Sequence, residues 1–128
     1  MTPWYTRWLA VAGGLVALAT SGCSAAAEQE VRAAVAALAA DPAAACSRLA
    51  PDTAEAVAES GTDCAAVLAR FTGAAAPQVE VAGESAIARF SDQVVFLARF
   101  PQGWLVTAAG CVRDDPDPAV PYDCEVEP

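Results

Sequence analysis

Residues 77–112 read PQVEVAGESAIARFSDQVVFLARFPQGWLVTAAGCV, and the fold turns on how this stretch divides. β-Branched and aromatic residues cut by short turn signals leave four strand-like pieces: PQVEVAG, ESAIARF, QVVFLARF and GWLVTAAGCV. Ser91–Asp92 separates the middle two and Pro101–Gln102–Gly103 the last two, so both connections read as tight hairpins. With Ser91 and Asp92 as a two-residue turn, Glu84 falls opposite Arg99 as a cross-strand charge pair. With PQG as a three-residue turn, Phe100 falls opposite Trp104. These registers put Ile87, Val94, Phe96, Ala98, Phe100, Trp104 and Val106 on one side of a sheet, and Phe90, Val95, Leu97, Leu105 and Thr107 on the other.

The chain before this stretch reads as helix. Val31, Val35 and Leu38 recur at helical spacing between Glu28 and Ala40, and Glu28 and Glu30 suit the positive amino end of that helix. Asp41 followed by Pro42 restarts a short helix over DPAAACSRLA. In PDTAEAVAESG, Asp52 and Glu55 have capping-box spacing and Gly61 is a stop. TDCAAVLARFTG carries Asp63 as a cap, then Cys64, Val67, Leu68 and Phe71 on one stripe, closed by Gly73. The larger, more aromatic side of the sheet is expected to meet these helices. The second side is apolar as well, which makes Phe90, Val95, Leu97, Leu105 and Thr107 the candidate binding face unless strand twist and the C-terminal tail cover it.

Five cysteines are an odd number. Cys46 and Cys64 each fall on the apolar face of a helix, so antiparallel packing of those helices pairs them; Cys111 and Cys124 then close the proline- and aspartate-rich end into a loop. Cys23 is left over. Ahead of it, MTPWYTR carries one positive charge and Trp8–Ala19 is apolar, the order of a secretory signal. That run is shorter than the roughly 20 residues a membrane span needs.

Thr20, Ser21 and Gly22 before Cys23 resemble the lipobox of a bacterial lipoprotein signal. The resemblance implies cleavage after Gly22 and a diacylglycerol thioether on Cys23, a double-chain anchor that holds stably. It divides the chain into a signal peptide (1–22), a lipidated tether (23–27) and a single α+β domain (28–128), placed outside the cytoplasm on the outer face of the cell membrane.

At a net charge of −9 the chain has no electrostatic footprint for nucleic acid. With histidine and lysine absent, Ser-His-Asp, Cys-His and Schiff-base schemes have no residues to run on. Glu80 and Asp92, near strand ends, are the acids available to a carboxylate base, and both read as solvated edge or turn residues. Asp114, Asp115 and Asp117 offer oxygens to calcium but lack the glycine and distal glutamate of a calcium loop, so neither a metal nor a cofactor is expected.

Helices followed by an antiparallel sheet resemble the cone-shaped nuclear-transport-factor-like, or cystatin-like, superfamily. The helical half together with VFLARFPQGWLVTAAGC and PYDC also resembles small actinobacterial secreted lipoproteins. These resemblances imply helices packed on a curled, cone-like sheet of about four strands with two disulfides, and they imply no reaction. The expectation is a non-enzymatic binding or accessory module at the cell envelope, its partner an envelope protein, a small apolar ligand or a second copy. The competing readings are a cone-fold enzyme with a carboxylate base and a purely structural envelope protein.

Overall fold

A computed structural model describes residues 22–41, 43–70 and 76–128. Residues 1–21 of the leader expected over 1–22 lie outside them, as do Pro42, Phe71 and Gly73. In chain order come helix α1 (Gly22–Ala40), a 3-10 turn (Ala45–Arg48), α2 (Pro51–Glu59), α3 (Cys64–Ala69) and strands β1 (Gln78–Ala82), β2 (Ser85–Arg89), β3 (Val94–Phe100) and β4 (Gly103–Cys111). The strands make one open antiparallel sheet in the order β1-β2-β3-β4. The fold is the expected mixture of helices and antiparallel sheet, with disulfides Cys46–Cys64 and Cys111–Cys124.

Helix α1 starts well before Glu28. Nothing in CSAAAEQE interrupts it, and alanine is the strongest helix former, so residues 23–27 are helical. Glu28 and Glu30 consequently sit inside the helix rather than in its first turn. Glu28 faces Arg32 one turn on, at 3.9 Å. Val31, Val35 and Leu38 point into the core as their spacing requires.

After Asp41, whose Oδ1 accepts from the amides of Ala43 and Ala44, the chain tightens into a 3-10 turn instead of an α-helix. Helix α2 opens with Pro51 at its first position, so Ala50 and not Asp52 occupies the cap. Asp63 does cap α3, accepting from Ala65 N–H at 3.2 Å.

The β2–β3 hairpin has the expected register, from Arg89 opposite Val94 to Ser85 opposite Ala98, and Arg99 N–H donates to the Glu84 carbonyl at 2.8 Å. The β3–β4 hairpin does not. Phe100 pairs with Gly103 and Arg99 with Trp104, so the loop is Pro101–Gln102 alone. Gly103 has φ +119°, a conformation side chains resist, and it opens the strand rather than completing a three-residue turn.

A slip of one residue moves every side chain of a strand to the other face. Trp104 and Val106 therefore join Val95, Leu97, Ala86 and Ala88 on the helix-facing side. Ile87, Val94, Phe96, Ala98 and Phe100 lie on the opposite side, half-buried. The expected faces of β2 and β3 are thus reversed. Ala86 and Ala88, 2% and 0% exposed, let the alanine-rich α1 settle close to the sheet, where a layer of isoleucine and phenylalanine would hold it off.

The C-terminal segment covers part of that opposite side. Tyr122 meets Phe96 edge-on at 5.3 Å, accepts from Arg89 Nη1 at 3.2 Å, and lies under the Arg113 guanidinium at 4.1 Å. Bridges from Val112 to Asp123 and from Ala109 to Val126 align the segment with β4.

The same strand edge receives the helices. Ala50 N–H donates to the Val106 carbonyl and the Thr53 hydroxyl to the Thr107 carbonyl, both at 2.8 Å. Thr53 is 0% exposed. Among the described residues no helix is long and apolar enough to cross a membrane.

Replacing Thr53 by valine keeps the shape and removes the donor to a buried carbonyl, so urea unfolding of the full chain should show a loss of about 1–3 kcal/mol. Replacing both Cys111 and Cys124 by alanine frees the tail; in the chain-entropy account a loop of this size costs about 3 kcal/mol, read in the same assay.

Candidate functional site: a groove between α1 and β4

The residues expected to form a binding face do not form one. Val95, Leu97 and Leu105 are 3%, 2% and 6% exposed, and Phe90 packs against the core. Thr107 contributes its carbonyl to Thr53. The reversed faces of β2 and β3 account for Phe90, Val95 and Leu97, which pack on the helix side, whereas Leu105 lies opposite Ala98 on the other side of the sheet.

Of the acids, Asp92 is exposed in the β2–β3 turn, and Glu80 is exposed on β1 at 3.7 Å from Arg89. Asp115 Oδ1 accepts from Asp117 N–H at 2.8 Å, and Asp117 Oδ1 from Ala119 N–H at 2.9 Å. These carboxylates organise local turns. Among the described residues no group of acids and cysteines is arranged to hold a metal. Cys23 is exposed with a free thiol.

What the fold does assemble is an open groove of about 540 Å³ where α1, the 3-10 turn and the start of β4 meet. Ala33, Ala34 and Ala37 make its α1 wall; Ser47 and Arg48 stand at the 3-10 turn; Gln102, Gly103, Trp104 and Leu105 supply the strand side. The alanines matter by being small. They leave space between a helix and a strand edge that larger side chains would fill.

One polar cluster borders the groove. Glu30 Oε2 accepts from Trp104 Nε1–H at 3.2 Å and from Arg99 Nη2 at 3.3 Å. The Arg99 guanidinium lies 4.9 Å from the centre of the Trp104 ring. The indole is 5% exposed and needs a partner for its N–H, which Glu30 provides. Arg99 thus satisfies a residue of α1 rather than Glu84, the cross-strand neighbour the register suggested.

Sequence reasoning passed over Glu30, Arg48, Arg99 and Trp104 as site residues. The hydrogen bonds joining Glu30 to Arg99 and Trp104 span 69 and 74 positions, so no local spacing marks them. A signal existed at Glu30: it precedes the fully buried Val31, at the boundary of the helix's inner face.

Comparison of the chain with protein-family models, curated proteins and solved structures finds no match.

The Glu30–Arg99 pair is largely exposed, with side chains 58% and 43% accessible. A double-mutant cycle with Glu30→Ala and Arg99→Ala should therefore give a coupling of about 0.2–1 kcal/mol. Glu30→Ala alone should cost about 1 kcal/mol or more, because the N–H of the buried indole loses its acceptor.

Proposed function

We propose that the protein is a lipid-anchored, extracytoplasmic binding module that takes its ligand in the groove between α1 and β4. The observation that carries the address is the state of the cysteines: four are paired in two disulfides and Cys23 stands exposed and unpaired. Disulfides persist in oxidising compartments, and the apolar run Trp8–Ala19 followed by Thr20–Ser21–Gly22 supports an export signal ending at that cysteine. The resemblance to bacterial lipoproteins supplies the modification, a diacylglycerol thioether on Cys23 Sγ.

On this reading the anchor is held stiffly. Helix α1 runs on from Cys23, and Ala27 already packs against the core. At about 1.5 Å per residue the lipid attachment point lies roughly 6 Å along the helix from the domain proper. The cone-like curl belongs to the same proposal. It is supported by the register shifts in the β3–β4 pairing, between Val94 and Phe96 and between Phe96 and Leu97, because bulges bend the strand that carries them.

Binding rather than catalysis is favoured by where the charged groups stand. Glu30 is committed to the indole and to Arg99, Glu80 to Arg89, and Asp92 to an exposed turn. A catalytic base needs a partner and a sheltered position.

Mass spectrometry of the membrane fraction tests the anchor. The expected species begins at Cys23 and carries the mass of a diacylglycerol. A mature chain beginning beyond Cys23, or an unmodified Cys23 thiol, overturns it.

A further inference from the structure

We propose that the α1–β4 groove takes a short extended peptide segment bearing a carboxylate, which adds as a strand beside Gly103–Leu105 and sets the carboxylate on Arg48. This deepens the binding-module reading and rests on it for the location of the site, but not on the lipid anchor.

The argument begins at the edge of β4. From Val106 onward that edge is occupied: Val106 by Ala50, Thr107 by Thr53, Ala109 by both backbone groups of Val126, and Val112 by Asp123. Strand groups alternate in direction with a period of two, except at the irregularity opposite Phe96 and Leu97, where Thr107 is the extra residue. The Val106 carbonyl points outward to Ala50, so the Trp104 carbonyl points outward as well. The hairpin register agrees, since Phe100 and Gly103 flank a two-residue loop as the hydrogen-bonded pair and leave the Trp104 N–H and C=O facing away from β3.

The reason this part of the edge stays open lies in the neighbouring segment. Leu49 pairs in parallel with Val106, and a continuation of that pairing would place Ser47 beside Trp104. Residues Ala45–Arg48 instead coil into the 3-10 turn and leave the strand. The groove is the space so created. Gly103–Leu105, the strand residues that line the groove, span roughly 10 Å at about 3.4 Å each, the reach of three or four residues of extended chain.

Charge selects the occupant. Among the described arginines, Arg32, Arg70, Arg89 and Arg99 have carboxylate partners and Arg113 stacks on Tyr122. Arg48 makes no side-chain ion pair, hydrogen bond or ring contact with a described residue and is half-buried in the groove wall. The Glu30 carboxylate bordering the same groove is already matched by Arg99 and the indole. On a chain of net charge −9 the groove therefore holds an unmatched positive charge. Open strand edges recognise any extended backbone, and a guanidinium is the natural partner of a carboxylate. That carboxylate can be a chain terminus or an Asp or Glu side chain.

The test pans a randomised octapeptide library, displayed with free carboxyl ends, against the full chain in detergent and against its Arg48→Ala and Arg70→Ala variants. The expected result is enrichment of peptides with an acid at a fixed position or at the end. Their binding should fall at least tenfold on Arg48→Ala and stay unchanged on Arg70→Ala. Arg48→Gln repeats the comparison with the side-chain length nearly kept, and circular dichroism verifies that each variant is folded.

Resynthesis of a selected peptide with an amidated end separates the two carboxylate sources. Methylation of successive backbone nitrogens should weaken binding tenfold at one position, the nitrogen that donates to the Trp104 carbonyl, and not at its two neighbours, the mark of strand addition beside Trp104. No enrichment above the Arg48→Ala background, or binding indifferent to methylation at every position, overturns the proposal. Failure of the Cys23 modification would leave this result standing, because the panning does not use the lipid.

Discussion

The outward-facing backbone of β4 is the constraint on which the rest of the structure depends. A strand at the end of a sheet presents a row of polar groups that must be paired or hydrated. Here the Val106 carbonyl takes Ala50 N–H, the Thr107 carbonyl takes the Thr53 hydroxyl, and Ala109 exchanges two hydrogen bonds with Val126. Those contacts fasten the helical half and the C-terminal tail to one strand. They also fix where the groove is, because it lies beside Gly103–Leu105, the stretch of β4 ahead of the first of those contacts.

The two disulfides reinforce this arrangement from either side. Cys46–Cys64 ties the 3-10 turn to the start of α3, so the segment that peels away from Trp104 is held at a set distance from the strand. Cys111–Cys124 holds the tail against the far end of β4 and brings Tyr122 over Phe96. The tail's acidic residues stay exposed, while Tyr122 and Val126 do the packing. Apolar anchors therefore alternate with solvated charge along a segment whose composition alone suggests a loose end.

Much of the fold was legible. The four strands, the Ser91–Asp92 turn, the Asp63 cap and both cysteine pairings follow from alternation, turn chemistry and helical spacing. The error at Pro101–Gln102–Gly103 was small in sequence and large in consequence. Counting Gly103 as loop rather than strand grouped Trp104 and Val106 with Phe96 and Phe100 instead of with Val95 and Leu97, and the choice of face by side-chain size then turned β2 and β3 the wrong way round. Size is a poor guide where a helix made largely of alanine does the covering, since close approach rewards small partners such as Ala86 and Ala88.

The candidate site was far less legible. Glu30, Arg48, Arg99 and Trp104 lie on separate elements, and none belongs to a motif with a chemical reading.

By itself, the sequence determined the local elements, the pairing of four cysteines and the oddness of the fifth, because periodicity, caps and parity are properties of neighbouring residues or of totals. Tertiary structure alone decided which sheet face is covered, where Arg99 directs its charge and which stretch of β4 stays open. Those outcomes depend on the helix-to-sheet distance, on a single-residue hairpin register and on a 3-10 turn leaving a strand, and each is settled only when segments distant in the chain compete for the same hydrogen bonds and the same space.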